Sequence, residues 1–304
     1  MSKPRDAVFA WSWQGGAMPV AHDIIGEAAG PPILFLPAMS TVSTRAEMAP
    51  LAHRLADVGR CVLVDWPGFG DAPRAALDYG PEICRAFLED FLDHLGKHLG
   101  NGQPAVIAAG HAAGYALDLE ARRPGSWSRL GLIAPTWRGP LPTMMGGQKP
   151  VQARIRKLIH WPVIGPLIYR LNTMELVVRR MYRNHVFADP AFLTPEFMRA
   201  KMRIVRRPNA RFASASFVTG GLDPVHDRWA FLKAAGAASA PILMIYGAAT
   251  PLRSRAEMEA LGELPGVESH RLEGGALGLH EEAPDAVATR LRPFLETRSA
   301  PTAG

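Results

Sequence analysis

Four short runs in the first half of the chain, PPILFLP, RCVLVDW, PAVIAAG and RLGLIAP, are apolar almost without interruption. A strand with one face in water alternates; a strand apolar throughout must be covered on both faces. The stretches between them carry helical stripes. TRAEMAPLAHRLADVG places Met48, Leu51, Leu55 and Val58 on one side and stops at Gly59. PEICRAFLEDFLDHLGKHLG opens with Pro81 in its first turn, where a missing N–H costs nothing. Doubly buried strands alternating with amphipathic helices predict an α/β fold, a mostly parallel central sheet with helices on both faces. Upstream, AVFAWSW and MPVAHDII flank QGG and read as a hairpin.

The rhythm stops after Pro135. TWRGPLPTMMGGQKP is rich in proline and glycine, and the helical stretches VQARIRKLI, GPLIYRLNTMELVVRRMYRNH and TPEFMRAKMRIVRR follow. Alternation resumes near Asp227 with DRWAFLKAAG and PILMIYG. The organisation expected is therefore a core of residues 1–135 and 227–298, a helical cap inserted at 136–226, and a disordered tail at 299–304. Charge marks the same boundary. Residues 138–228 hold 16 Lys/Arg against 5 Asp/Glu, a local +11, so the remainder is net −5 within a chain of +6.

With 48% hydrophobic and 20% charged residues in 304, the chain has ample material for a core. No apolar run approaches the ~18–20 residues that span a bilayer, and the apolar start AVFAW is too short for a secretory segment. A cytoplasmic address is expected, with Cys61 and Cys84 as reduced core thiols. No His, Cys and carboxylate spacing suits a metal, and no cofactor is expected.

The stretch AAGHAAG, residues 108–114, joins the apolar PAVI to the helix-like YALDLEARR, a sharp strand-to-helix turn. FLPAMS follows an earlier strand, DWPGFGDAPR carries Asp65, Pro67, Gly68 and Gly70 in an Asp-x-Pro-Gly-x-Gly loop, and HEEAPDAV closes the series at 280–287. In this order and spacing the four resemble the α/β-hydrolase family with a cap, and the resemblance covers almost the whole chain. The family carries its nucleophile at the middle of a Gly-x-Ser-x-Gly elbow; the matching residue is Ala112. Its acid position falls on Thr250 in YGAATP, and its histidine position on Leu277 in GGALGLHEE, aligned on His280. A methyl, a hydroxyl and an isobutyl group cannot act as nucleophile, acid and base. The glycines Gly110 and Gly114 would still permit the tight turn.

The resemblance also implies an oxyanion hole made of backbone N–H groups, from Ala113 and from Ala38 or Met39, which alanine substitutions leave in place. Ser40 and Thr41 are candidates to hydrogen-bond a ligand oxygen. Thr44 reads as a helix N-cap, with Glu47 completing a capping box. His111 beside the elbow is a structural residue, a ligand contact or a base; His280 reads as structural, and His185 and His226 as surface or hinge residues. Trp137, followed by Met144 and Met145, either roofs a pocket or packs core against cap. The candidate ligand site is thus Ala38, Met39, Ser40, Thr41, His111, Ala112, Ala113 and Trp137, for a small apolar or carbonyl-containing molecule.

Three functions remain open. One is a non-hydrolytic binding or accessory protein. Another is an enzyme of the superfamily working through non-triad residues, as an esterase-like hydrolase, lyase or cofactor-free oxygenase. The third is a peripheral membrane or partner-docking module. For the third, residues 150–211 place Trp, Ile, Leu and Tyr among cations such as Arg156 and Lys157, which suits an anionic membrane surface or an acidic protein. No helix-turn-helix, aromatic platform or zinc motif accompanies the charge, so nucleic acid is not expected.

Overall fold

A computed structural model describes residues 5–100 and 102–297, and the expected tail at 299–304 lies outside the described residues. Eight strands form one sheet: β1 (Arg5–Phe9), β2 (Val20–Ile25), β3 (Ile33–Leu36), β4 (Cys61–Val64), β5 (Ala105–Ala109), β6 (Arg129–Ile133), β7 (Ile242–Gly247) and β8 (Val267–Leu272). Their order is β1-β2-β4-β3-β5-β6-β7-β8. The β1–β2 and β2–β4 pairs are antiparallel, and the other pairs are parallel. Every residue of β3 to β7 is buried, as runs without polar alternation require. The edge strand β8 instead leaves Glu268, Ser269 and Arg271 exposed, which discourages a further strand from pairing there.

Helices α1 (Ala49–Leu55), α2 (Pro81–Leu99) and α3 (Ala112–Arg122) follow strands β3, β4 and β5. One apolar layer joins α2 and α3 to the sheet through Phe87, Phe91, Tyr115 and Trp127. The opposite layer packs Leu51 and Leu55 of α1 against Val287 and Leu291. Between β1 and β2 the chain turns through Gln14 (φ 49°) and Gly15 (φ 80°). Two successive left-handed residues match the twist of the flanking strands, so the expected hairpin forms.

His22 on β2 is buried between Phe91 and His94, and burial, reinforced by His94, lowers its pKa to about 4. Unfolded, it takes a proton below about pH 6.5; folded, it resists until about pH 4. Its contribution is therefore complete above pH 6.5 and is lost as the pH falls toward 4, by roughly 3 kcal/mol over that window. His22→Phe should shrink the stability difference between pH 7 and pH 5 by about 2 kcal/mol in urea unfolding. An unchanged difference would show that other groups set the acid limit.

Between β6 and β7 run six helices of a helical insertion: α4 (Pro140–Met145), α5 (Pro150–His160), α6 (Gly165–Asn172), α7 (Glu175–Met181), α8 (Pro195–Val205) and α9 (Ala210–Val218). The stretch GPLIYRLNTMELVVRRMYRNH reads as one helical segment, but Met174 is extended (ψ 145°) and splits it into α6 and α7. Thr173 Oγ1 closes the end of α6 on the Tyr169 carbonyl at 2.7 Å, a local bond that competes with helix continuation. The insertion has its own apolar cluster of Val178, Tyr182, Phe187, Met198, Met202 and Val205, and Val42 from the loop after β3 inserts into it. The chain then returns through α10 (Arg228–Gly236), capped by Asp227, α11 (Leu252–Gly262), α12 (Leu279–Glu282) and α13 (Pro284–Glu296).

Candidate active site

Strand β5 enters α3 through Gly110 and His111. Gly110 is left-handed (φ 53°), and a Cβ there would lie 3.1 Å from that of Ala38. Sequence spacing puts the elbow's central position at Ala112, but Ala112 is the first residue of α3 and the turn is made two residues earlier. A hydrogen stands at one position and a methyl at the other, and Ala112 and Ala113 are wholly buried. Gly114 allows the close approach expected of it, since a Cβ there would stand 2.8 Å from Pro224 Cγ.

The loop after β3 is already hydrogen-bonded within the protein. The Ala38 amide donates to Glu47 Oε1 at 2.9 Å, which removes it as a free oxyanion donor. Ser40 Oγ pairs with Ser43 Oγ at 2.8 Å and accepts the Val42 amide at 3.3 Å, so the hydroxyl serves its own turn. Met39 is buried and Thr41 half-buried. Thr44 caps its helix by accepting the Ala46 amide at 3.1 Å. Glu47 does not complete a capping box; its carboxylate is drawn to Ala38, His280 and Lys201 instead.

Glu47, His280 and Lys201 form a buried ionic cluster with Glu281 at its edge. His280 Nε2 lies 3.3 Å from Glu47 Oε1. Lys201 Nζ, reaching in from α8, lies 3.1 Å from Glu281 Oε1 and 3.8 Å from Glu47 Oε2. Burial alone would raise the Glu47 pKa, but the neighbouring imidazole, Lys201 and the Ala38 amide bring it below the ordinary value. Glu281 is pushed up, first by burial and then by the charge of Glu47, against the pull of Lys201.

At the acid position Thr250 is buried with Oγ1 unpartnered, and its amide donates to the Gly247 carbonyl at 3.1 Å. At the histidine position the Leu277 amide donates to the His185 carbonyl at 3.4 Å, and the Gly278 amide to Val186 at 2.7 Å. A Cβ on Gly278 would meet the Phe187 ring at 2.5 Å. From the other side, the Ala188 and Asp189 amides donate to Glu282 at 3.1 and 2.7 Å. This loop is laced to the insertion.

His111 turns away from the loop after β3. Its Nε2 lies 2.9 Å from the Leu222 carbonyl, which also accepts the Tyr115 hydroxyl at 2.7 Å, and 3.7 Å from Asp223 Oδ1. Burial lowers its pKa, leaving a neutral ring that anchors the returning chain. Trp137 packs in the core against Phe231 and donates to Glu257 Oε2 at 3.2 Å, while Met144 is exposed. Trp137 is therefore a packing residue, held by the ion cluster of Glu257 with Arg138 and Arg228. Asp65 of the Asp-x-Pro-Gly-x-Gly loop binds the Arg45 amide and guanidinium, both at 2.7 Å, and the Asp71 amide at 3.0 Å. Gly70 (φ 50°) is pressed against that carboxylate, so the motif ties a loop.

A polar cleft of about 320 Å³ lies beside the elbow, between the first turns of α2 and α5 and the segment 219–224; Arg85, Gln152, Arg156 and Asp223 line it. Ala112 is not among its walls. Among the described residues no group of three or more His, Cys, Asp or Glu side chains could hold a metal ion, and no helix is long and apolar enough to cross a membrane.

A family model described as the alpha/beta hydrolase family matches residues 6–290. The chain belongs to the alpha/beta hydrolase family. Its fold is the alpha/beta hydrolase fold. The chain is similar to the solved structure of the haloalkane dehalogenase DatA from Agrobacterium tumefaciens C58, at 17% identity, 95% coverage of this chain, 96% of that one and TM-score 0.70. It is also similar to the haloalkane dehalogenase DbeA from Bradyrhizobium elkani USDA94 (18%, 96% and 98%, 0.71). A thermophilic esterase from Thermogutta terrifontis is a third such structure (17%, 96% and 100%, 0.74). At these identities the likeness is one of fold. No curated protein sequence matches the chain.

In an alpha/beta hydrolase the turn after the fifth strand is where a nucleophile is held. The sequence reading missed what this member has gathered near that turn, the Glu47–His280–Lys201–Glu281 cluster. A signal was present: Lys201 stands in the apolar stripe Met198, Met202, Val205 of α8, where a cation needs a buried partner.

Proposed function

We propose that this alpha/beta hydrolase does not hydrolyse through a covalent intermediate, and that it serves as a small-molecule-binding or accessory protein with a degenerate triad. The observation that carries the reading is that neither Gly110, by turn geometry, nor Ala112, by spacing, has a side chain able to attack a carbon centre. Thr250 and Leu277 supply neither acid nor base, and the Ala38 amide is given to Glu47. The insertion acts as a cap that stays closed. A small ligand would find its polar contacts in the cleft beside the elbow, among Arg85, Arg156 and Gln152.

A fluorophosphonate probe should leave the protein unlabelled, and release of halide from a haloalkane or of phenol from an aryl ester should stay at the buffer rate. Stoichiometric labelling, or turnover that survives repurification, would sink this reading. A second reading, an enzyme using other residues, draws on the ionisable cluster at Glu47 and His280, since such clusters mark active sites. Glu47 and His280 are buried, and Lys201 reaches them and Glu281 from the insertion, which favours a fastening role.

A further inference from the structure

We infer that the insertion carries a membrane-docking ridge, formed by α5 to α7, whose occupant is an anionic lipid surface. Twelve of the fifteen strongly exposed large apolar side chains among the described residues fall between Met144 and Met181. Trp161 is 52% exposed, Val163 76%, Leu167 59% and Leu176 75%. They recur at helical spacing: Val163, Leu167 and Leu171 form one stripe, and Met174, Val177 and Met181 another. In a helix whose apolar face meets its own core these positions would be buried. Here the inward contacts come from other residues: Tyr169 donates to the Val205 carbonyl, and Val178 packs in the insertion's cluster. Scattered apolar residues need no explanation; a dense run does.

The surrounding charge selects the occupant. Residues 149–185 contain eight Lys/Arg and one Asp/Glu. Lys157, Arg170, Arg180 and Arg183 are exposed, and among the described residues none of the four has an acidic partner. An apolar ridge rimmed by unpaired cations, with an exposed tryptophan at its start, is complementary to the boundary between anionic headgroups and acyl chains. A second copy of this chain would bring the same cations face to face. With α6 and α7 only eight and seven residues long, the ridge lies in the interface and does not span it.

The test is co-sedimentation of the whole protein with vesicles of phosphatidylcholine, with and without phosphatidylglycerol. Binding is expected to the anionic vesicles, weakening about tenfold or more between ~0.1 M and ~1 M salt as the Debye length shrinks. The double variant Leu167→Asp/Leu171→Asp should bind about tenfold or more weakly, with thermal melting unchanged because both side chains face water. Acyl-brominated lipid should quench wild-type tryptophan fluorescence, a readout that needs no folded variant, and much of the quenching should vanish in Trp161→Phe. Absence of wild-type binding to anionic vesicles at low salt overturns the proposal, and so does undiminished binding of the double variant. A concentration-dependent dimer dispersed by those aspartates, without vesicle binding, would give the ridge to a second copy and also overturn it.

Discussion

Lys201→Met should lower the unfolding free energy by about 3–5 kcal/mol, the cost of leaving buried charge uncompensated. The lysine reaches from α8 to Glu281 at 3.1 Å and Glu47 at 3.8 Å, and its side chain is 8% exposed, so water can do little in its place. Removing it leaves two carboxylates sharing one histidine. Glu281, already pushed up, will hold a proton more readily, and a carboxyl with a raised folded pKa contributes stability at low pH that is lost as the pH rises. The variant's deficit should therefore be larger at pH 7 than at pH 5. The double change Lys201→Met/Glu281→Leu should recover much of the loss, because an apolar pair needs no neutralisation. Urea unfolding of the three proteins decides the matter; a deficit below about 1 kcal/mol for the single variant would mean the cluster is solvated.

A loss of similar size, about 3–5 kcal/mol, is expected for Arg45→Met. Arg45 joins Asp23 at 2.9 Å and Asp65 at 2.7 Å, and Asp65 is 1% exposed. Burial raises the Asp65 pKa even beside this guanidinium. Without Arg45, two backbone amides remain to hold a buried anion, and the loop closed by Gly70 loses its tie. Asp65 should then protonate, and the deficit should shrink as the pH falls toward 5. Guanidinium or urea midpoints at two pH values test this, and a deficit that grows on acidification would contradict it.

The sheet was legible because each central strand is apolar on both faces, a property that local sequence carries in full. The hairpin was equally readable from QGG. Long-range polar partners were not. Thr44 and Glu47 fit a capping box by spacing, and only the folded chain brings Ala38, His280 and Lys201 within reach of that carboxylate. His111 and Trp137 look like site residues beside an elbow, yet their partners, Leu222 and Glu257, lie more than a hundred positions away in sequence. The turn itself misled by two residues, because spacing alone does not show where α3 begins. The helical stretches of α5 to α7 were visible, but which side faces water is set by the packing of Tyr169 and Val178.

The Ala38 amide held by Glu47 bears on how this lineage could change. A serine placed at Ala112 would sit in the first turn of a buried helix, with neither base nor acid in place and one oxyanion donor engaged elsewhere. Freeing that donor means dismantling Glu47, and with it the bond network that fastens α8 to α12 and the turn before α1. On the proposed reading, regaining hydrolysis would require several changes at once, each harmful before the others arrive. On that reading the route to hydrolysis crosses a fitness valley, because the donor, the carboxylate and the lysine are held in one network.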